Sequence, residues 1–164
     1  MKALDAGATA PPFTLKDTQG LSYELTEALK DGPVLLAFFK VSCPTSRFTL
    51  PVLERLHQAA KQNGGPRLWG VSQNDAPATR EFAREYGLSF PLLLDEEGYP
   101  VSNAYGLTNV PTLFLIRPDR TIQVSSIGFV RNDVEKIAEI FSRSTGGDME
   151  VFLPGEAIPD YKPG

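Results

Sequence analysis

The sequence predicts an α/β sandwich built on one mixed sheet, and three observations carry that prediction. An unbroken apolar run, Val34-Leu35-Leu36-Ala37-Phe38-Phe39, follows Gly32-Pro33 and reads as a central strand covered on both faces. Further short apolar runs alternate with segments of helical period instead of being grouped apart from them. Late in the chain a hairpin precedes one last helical segment, so the sheet carries an antiparallel part as well as a parallel one. A length of 164 residues, 41% hydrophobic and 22% charged, is enough for one domain with its own core. The same composition excludes a disordered, collagen-like or coiled-coil chain.

Each element has its own signal. Residues 13–24 read as a hairpin: Phe13-Thr14-Leu15, a turn through Asp17-Thr18-Gln19-Gly20, then Ser22-Tyr23-Glu24. Thr26 is placed to cap a short helical turn ending near Gly32. After the central strand, Phe48, Val52, Leu53, Leu56 and Ala60 recur at helical spacing; Pro51 should kink that helix and Asn63-Gly64-Gly65 stop it. Residues 67–71 are the next strand. Asp75 caps a helix with Pro77 in its first turn, Phe82 and Tyr86 inward and Gly87 at its end. Residues 90–94 are extended, Asp95-Glu96-Glu97-Gly98 reads as a solvated turn, and residues 99–105 as a short helix. Thr112-Leu113-Phe114-Leu115-Ile116 is another apolar strand, and residues 121–126 pair back onto it after Arg117-Pro118-Asp119-Arg120. Asn132 with Glu135 has the form of a capping box opening a last helix, which Gly146-Gly147 ends. Residues 1–146 make the domain. Residues 147–164, with Pro154, Pro159 and Pro163, make an extended, irregular C-terminal tail.

Charge and cysteine content narrow the function. Sixteen basic against twenty acidic residues give a net charge of −4, which argues against a nucleic-acid-binding or membrane-binding surface. The single cysteine, Cys43, excludes an internal disulfide, and with the single histidine, His57, it cannot complete a metal site. His57 falls deep in its helix and reads as a surface or half-buried side chain. Gly64-Gly65 and Gly146-Gly147 lack the Lys-Ser/Thr of a phosphate loop. No metal, flavin or nucleotide cofactor is implied. There is no apolar run of spanning length and no signal-peptide core near Met1, so a cytoplasmic location is expected; an exported chain without its leader would read the same way.

The informative stretch is Phe38-Phe39-Lys40-Val41-Ser42-Cys43-Pro44-Thr45-Ser46-Arg47. A cysteine stands between a buried strand and a helix, and Pro44 fits the first helical position, where its missing N–H costs nothing. The free N–H groups and dipole of a helix start favour a thiolate there. Lys40 and Arg47 are placed to add positive charge; solvated side chains are the alternative.

With these residues the chain resembles the thioredoxin superfamily, in its redoxin (AhpC/TSA) and TlpA/ResA-like branch. Ala10-Pro11-Pro12-Phe13-Thr14-Leu15 with Asp17 and Gly20 is similar to that branch's N-terminal hairpin. Cys43-Pro44-Thr45-Ser46-Arg47 is similar to its C-P-x-C-R motif, and Pro51 to its helix proline. Val110-Pro111-Thr112-Leu113-Phe114-Leu115-Ile116 resembles its cis-proline strand. Asp119 with Ile122, then Gly128-Phe129-Val130, complete an ordered set over about residues 8–144. The resemblance implies a thioredoxin-like three-layer sandwich, a mixed central sheet flanked by helices, with an N-terminal β-hairpin extension. It also implies thiol-disulfide exchange. Cys43 would be the attacking nucleophile, Pro44 and Thr45 would tune it, and Val110 with a cis Pro111 would form the groove for an extended substrate.

The departures matter as much. Ser46 stands where the family has its resolving cysteine, and Ala37 and Ser42 replace its buried aspartate and the tryptophan before the motif. Ser46 fits either a natural monothiol site or a cysteine exchanged for serine to trap a mixed disulfide. In both cases release needs an external thiol, such as glutathione or a thioredoxin system, and the partners are protein or small-molecule thiols and disulfides. Two alternatives stay open. A 1-Cys peroxidase would want Thr or Ser three before the cysteine, Pro four before that, and an arginine near Val110-Pro111; the chain has Lys40, Leu36 and none. The other alternative is a redox-inactive, peptide-binding module.

Overall fold

A computed structural model describes residues 2–62, 64–145 and 151–164. In chain order the elements are β1 (Thr14–Lys16), β2 (Ser22–Glu24), α1 (Leu25–Leu29), β3 (Val34–Phe39), α2 (Pro44–Gln62), β4 (Arg67–Ser72), α3 (Ala76–Tyr86) and β5 (Leu92–Leu94). They continue with α4 (Pro100–Ala104), β6 (Thr112–Ile116), β7 (Ile122–Ile127), β8 (Phe129–Val130), α5 (Arg131–Thr145) and β9 (Tyr161–Lys162). The central sheet has five strands in the order β5-β4-β3-β6-β7. Strands β3, β4 and β5 run parallel, whereas β6 and β7 pair antiparallel.

All six side chains of β3 are buried, as expected of a central strand, and they alternate between two cores. Leu35, Ala37 and Phe39 pack with Leu50, Leu53 and Leu56 of α2, Phe82 of α3 and Ile137 and Phe141 of α5. Val34, Leu36 and Phe38 pack with Leu25 and Leu29 of α1, Val101 of α4, and Phe13, Trp69 and Tyr105. The result is a helix–sheet–helix sandwich with the β1–β2 hairpin on the second face. Tyr105 lies at the middle of that face: its hydroxyl donates to the Pro11 carbonyl at 2.7 Å, and burial pushes the phenol above its ordinary range.

Local signals locate several elements as expected. Asp75 caps α3 by accepting from the Ala78 N–H at 2.9 Å, and Gly87 closes that helix in the left-handed conformation. Asp17 accepts the Gln19 and Leu21 amides and fixes the hairpin turn. Helix α2 continues through Pro51.

Four expectations need correction. Thr26 does not cap α1. The cap position is Glu24, and the helix start is held from outside, by the Leu25 N–H donating to Phe13 O at 3.1 Å. The box of Asn132 with Glu135 does not open α5, which begins two residues earlier than that cap would set, at Arg131: the Arg131 N–H donates to Asp160 O at 2.9 Å and Glu135 accepts from Arg131 Nε. Asp95 is not solvated. It is 1% exposed and accepts from Val101 N at 3.1 Å, Ser102 N at 2.7 Å and Ser102 Oγ at 2.7 Å, tying down the start of α4; Glu96 and Glu97 beside it are exposed. The tail is not irregular throughout, because β9 pairs antiparallel with β8, Phe129 opposite Lys162 and Val130 opposite Tyr161. The Gly146-Gly147 helix stop lies outside the described residues.

The tail is anchored further back. Val151 is buried in the α2–α5 core, and Phe152 packs edge-on to Phe129. Arg55 of α2 holds Glu156 through two bonds of 2.7 Å and donates to Val151 O at 3.0 Å. The Arg55 guanidinium and the Leu153 N–H hold the Glu156 carboxyl at about 2, against an ordinary 4.5.

Replacing Asp95 by Ala strands two backbone N–H groups and a hydroxyl in the interior. It should cost about 2–4 kcal/mol in urea unfolding, while Glu96→Ala stays within about 0.5 kcal/mol. A depressed carboxyl pKa contributes stability above its unfolded value, lost as pH falls through the folded one. Hydrogen exchange at the Leu153 amide should therefore accelerate as pH drops from about 4.5 toward 2, beyond the intrinsic pH dependence of exchange, and Glu156→Gln should remove that excess.

Candidate functional site

The register of the sheet assembles the site. Phe38 of β3 lies opposite Thr112 of β6. Two residues beyond that pair, Val110 falls level with Lys40, where the chain leaves β3 for α2. Cys43 then becomes the residue on which α2 starts: its carbonyl accepts the Arg47 N–H at 3.0 Å, and Pro44 takes the first helical position. The Cys43 thiol is half-buried and donates to the Val110 carbonyl at 3.4 Å. The Val110–Pro111 peptide bond is cis, as the resemblance implied.

The loop that presents Cys43 is clamped at Val41, through its N–H and its carbonyl. The Val41 N–H donates to Asn74 Oδ1 at 2.9 Å, and the Val41 carbonyl accepts from Arg47 Nε at 2.9 Å. Arg47 thus serves the loop backbone. Asn74 is held in turn by its own N–H donating to Ser72 Oγ, whose hydroxyl pairs with Thr79 Oγ1 at 2.7 Å. The Val110 side is fixed by Thr112 Oγ1 donating to Asn109 O at 2.8 Å. Sequence reading missed Asn74 and Asn109. Their only signal is position, Asn74 just after a core strand and Asn109 just before one, and it does not distinguish them from solvated loop residues.

The remaining expected site residues fall around this centre. Thr45 is buried in the first turn of α2, and its hydroxyl donates to Pro163 O at 2.5 Å. Lys40 is exposed and lines a polar cleft with Gln73, Tyr99, Ser102, Asn103 and Asn109, on the other side of Val110. His57 is half-buried, edge-on to Phe90 and away from Cys43, and burial lowers its pKa. Ser46 is 0% exposed, and its hydroxyl is the one buried side-chain polar atom among the described residues with no hydrogen-bond partner. Ser46 therefore holds an isolated oxygen under the helix start. Among the described residues no cluster of His, Cys, Asp and Glu is arranged to hold a metal, and no helix is long and apolar enough to cross a membrane.

An unpartnered buried hydroxyl destabilises its site, and serine is also a poorer helix former than alanine. Ser46→Ala should accordingly raise stability by about 1 kcal/mol. The check is a higher urea midpoint at an unchanged slope.

Known proteins give the arrangement its family. The chain matches the AhpC/TSA family over residues 6–125. It is 34% identical over 137 residues to the thiol-disulfide oxidoreductase ResA of Halalkalibacterium halodurans, an alignment covering 82% of this chain and 76% of that one. Among solved structures, the thioredoxin domain of a thiol-disulfide oxidoreductase from Bacteroides vulgatus superposes with a TM-score of 0.72 at 24% identity, covering 84% of this chain and 98% of that one. The peroxidoxin BcpB of Mycobacterium tuberculosis superposes with a TM-score of 0.65 at 23% identity, covering 74% and 84%. These last two likenesses establish the thioredoxin-like fold. The match through the strands and helix that carry Cys43, with the ResA identity, shows that the chain belongs to the AhpC/TSA family as a ResA-like redoxin.

Proposed function

We propose that this redoxin exchanges thiols and disulfides through Cys43 alone. The observation that carries the reading is the position of the only cysteine: at the start of α2, half-exposed, against the carbonyl of Val110. In the first step the Cys43 thiolate attacks one sulfur of a substrate disulfide. A Cys43–substrate disulfide forms, and the other substrate sulfur leaves as a thiolate. In the second step an external thiolate, such as that of glutathione or of a thioredoxin system, attacks the mixed disulfide. It bonds to the substrate sulfur and returns Cys43 as a thiolate. Ser46 takes no part, since a buried hydroxyl is not a nucleophile toward sulfur. Pro44 sets the helix start, Arg47 and Asn74 hold the loop, and Val110-Pro111 offers the edge along which an extended substrate lies.

Several features support exchange over peroxide reduction. Lys40 stands exposed where a peroxidase would aim a hydroxyl, and the Arg47 side chain is engaged with the Val41 carbonyl. Neither is the hydroxyl or the arginine near Val110-Pro111 that a peroxidase would turn toward the peroxide oxygens.

Incubation with oxidised glutathione should give one glutathione adduct per chain by intact mass. Excess reduced glutathione should remove it, and Cys43→Ser should prevent it. Ser46→Cys should convert the adduct into an internal disulfide between Cys43 and the introduced thiol, with loss of the glutathione. A folded wild-type protein that forms no adduct, or that forms a sulfenic acid with peroxide faster than it forms the adduct, would overturn the reading.

A further inference from the structure

One segment of the chain lies where a substrate of this site would lie, and nothing in the exchange chemistry uses it. Residues 161–164 run from β9 across the mouth of the site. Lys162 places its ammonium over the ring of Phe48, 5.2 Å from the centroid, and Pro163 accepts the Thr45 hydroxyl. Gly164 comes so close to Val110 that a β-carbon on it would stand 2.6 Å from the Val110 carbonyl oxygen, and its own carbonyl accepts from Asn109 Nδ2 at 3.3 Å. That Val110 oxygen is the one the Cys43 thiol touches. On the far side the segment passes over Gly128, whose φ is +76° and where a β-carbon would stand 2.6 Å from Lys162 O. Both faces of the passage are cut to backbone thickness, with glycine at each close approach. Side chains from the two walls of the active site, Thr45 and Phe48 on α2 and Asn109 before β6, all engage it.

We propose that residues 161–164 act as a built-in pseudosubstrate: they fill the peptide-binding groove beside Cys43, and a protein substrate must displace them to reach the thiol. The inference rests on Cys43 being the exchanging residue. It also describes what the groove accepts. The incoming partner is an extended peptide that pairs with β8 in place of β9. It brings a small residue to Val110 and a basic side chain over Phe48. The anchors upstream, Val151 and the Arg55–Glu156 pair, do not have to move when residues 161–164 leave the groove. While the arm is down, the apparent affinity for a peptide is reduced by the fraction of chains in which it is up. Small thiols and disulfides, needing no groove, escape most of that penalty.

The test compares alkylation of Cys43 by N-ethylmaleimide with alkylation by the same maleimide carried on an extended hexapeptide containing lysine and glycine. Three proteins are used: the full chain, a variant lacking residues 161–164, and Gly164→Val, whose added atoms push the arm off Val110 without shortening the chain. Circular dichroism establishes that all three are folded. The peptide reagent should react roughly tenfold faster with both variants than with the full chain, and N-ethylmaleimide less than about twofold faster. In the full chain, reaction with the peptide reagent should also remove hydrogen-exchange protection from the backbone amides of β9 that pair with β8, whereas N-ethylmaleimide should leave them protected. Equal peptide rates in the three proteins, or a Cys43 that resists both reagents in all of them, would overturn the proposal. Alkylation reads access and not exchange, so a failure of the glutathione adduct would overturn the function of Cys43 and leave this outcome to be judged by itself.

Discussion

Strand β3 has water on neither face and strands on both edges, and the position of Cys43 follows from that confinement. Its six side chains divide between two cores, with Phe39 committed to one side and Phe38 to the other. A slip of one residue against β4 or β6 would send each set to the wrong core, so the register is held by the packing of both layers. Once the antiparallel register with β6 is fixed, Val110 has no choice but to arrive beside the chain leaving β3. The contact between a thiol and a carbonyl from residues far apart in sequence is the surface expression of an apolar constraint below it.

Legibility in the sequence follows the same division. β3 could be read because burial on two faces leaves an unbroken apolar run, and α3 because Asp75 and Gly87 are caps made by the helix's own neighbours. The start of the site could be read from Cys43-Pro44, a residue pair that makes sense only where a helix begins. What failed were the starts and anchors held by partners away from the local pattern: Leu25 is fixed by Phe13 and Arg131 by Asp160, and Asp95, in a run that looks like solvated acid, is the buried anchor of an α4 that was expected. Asn74 belongs to the same class: its bond to Val41 spans 33 positions, and no local pattern records it. The pairing of β9 with β8 was hidden for a further reason, since two residues between prolines carry no strand pattern.

Ser46 shows how little of this architecture depends on the atom at that position. The helix begins, the loop is clamped and the core closes over a hydroxyl that bonds to nothing. A thiol at the same place would lose less on leaving water, because sulfur behaves as a small apolar group there. The serine therefore occupies a buried place beside the helix start where oxygen is the less comfortable atom.

The segment after residue 150 is fastened by contacts of unequal depth. Val151 is buried in the core, Glu156 is pinned to Arg55 on the half-exposed side of α2, and beyond Asp160 only a two-residue ladder and a few polar contacts hold the chain down. Opening free energies should then fall along the segment, from near the global value at Val151 to a small part of it at residues 161–164. Release would run along the segment like peeling, from the shallow contacts toward the deep ones. Each residue released exposes the next without disturbing the core, and the point at which peeling stops is set by the first contact deep enough to resist it.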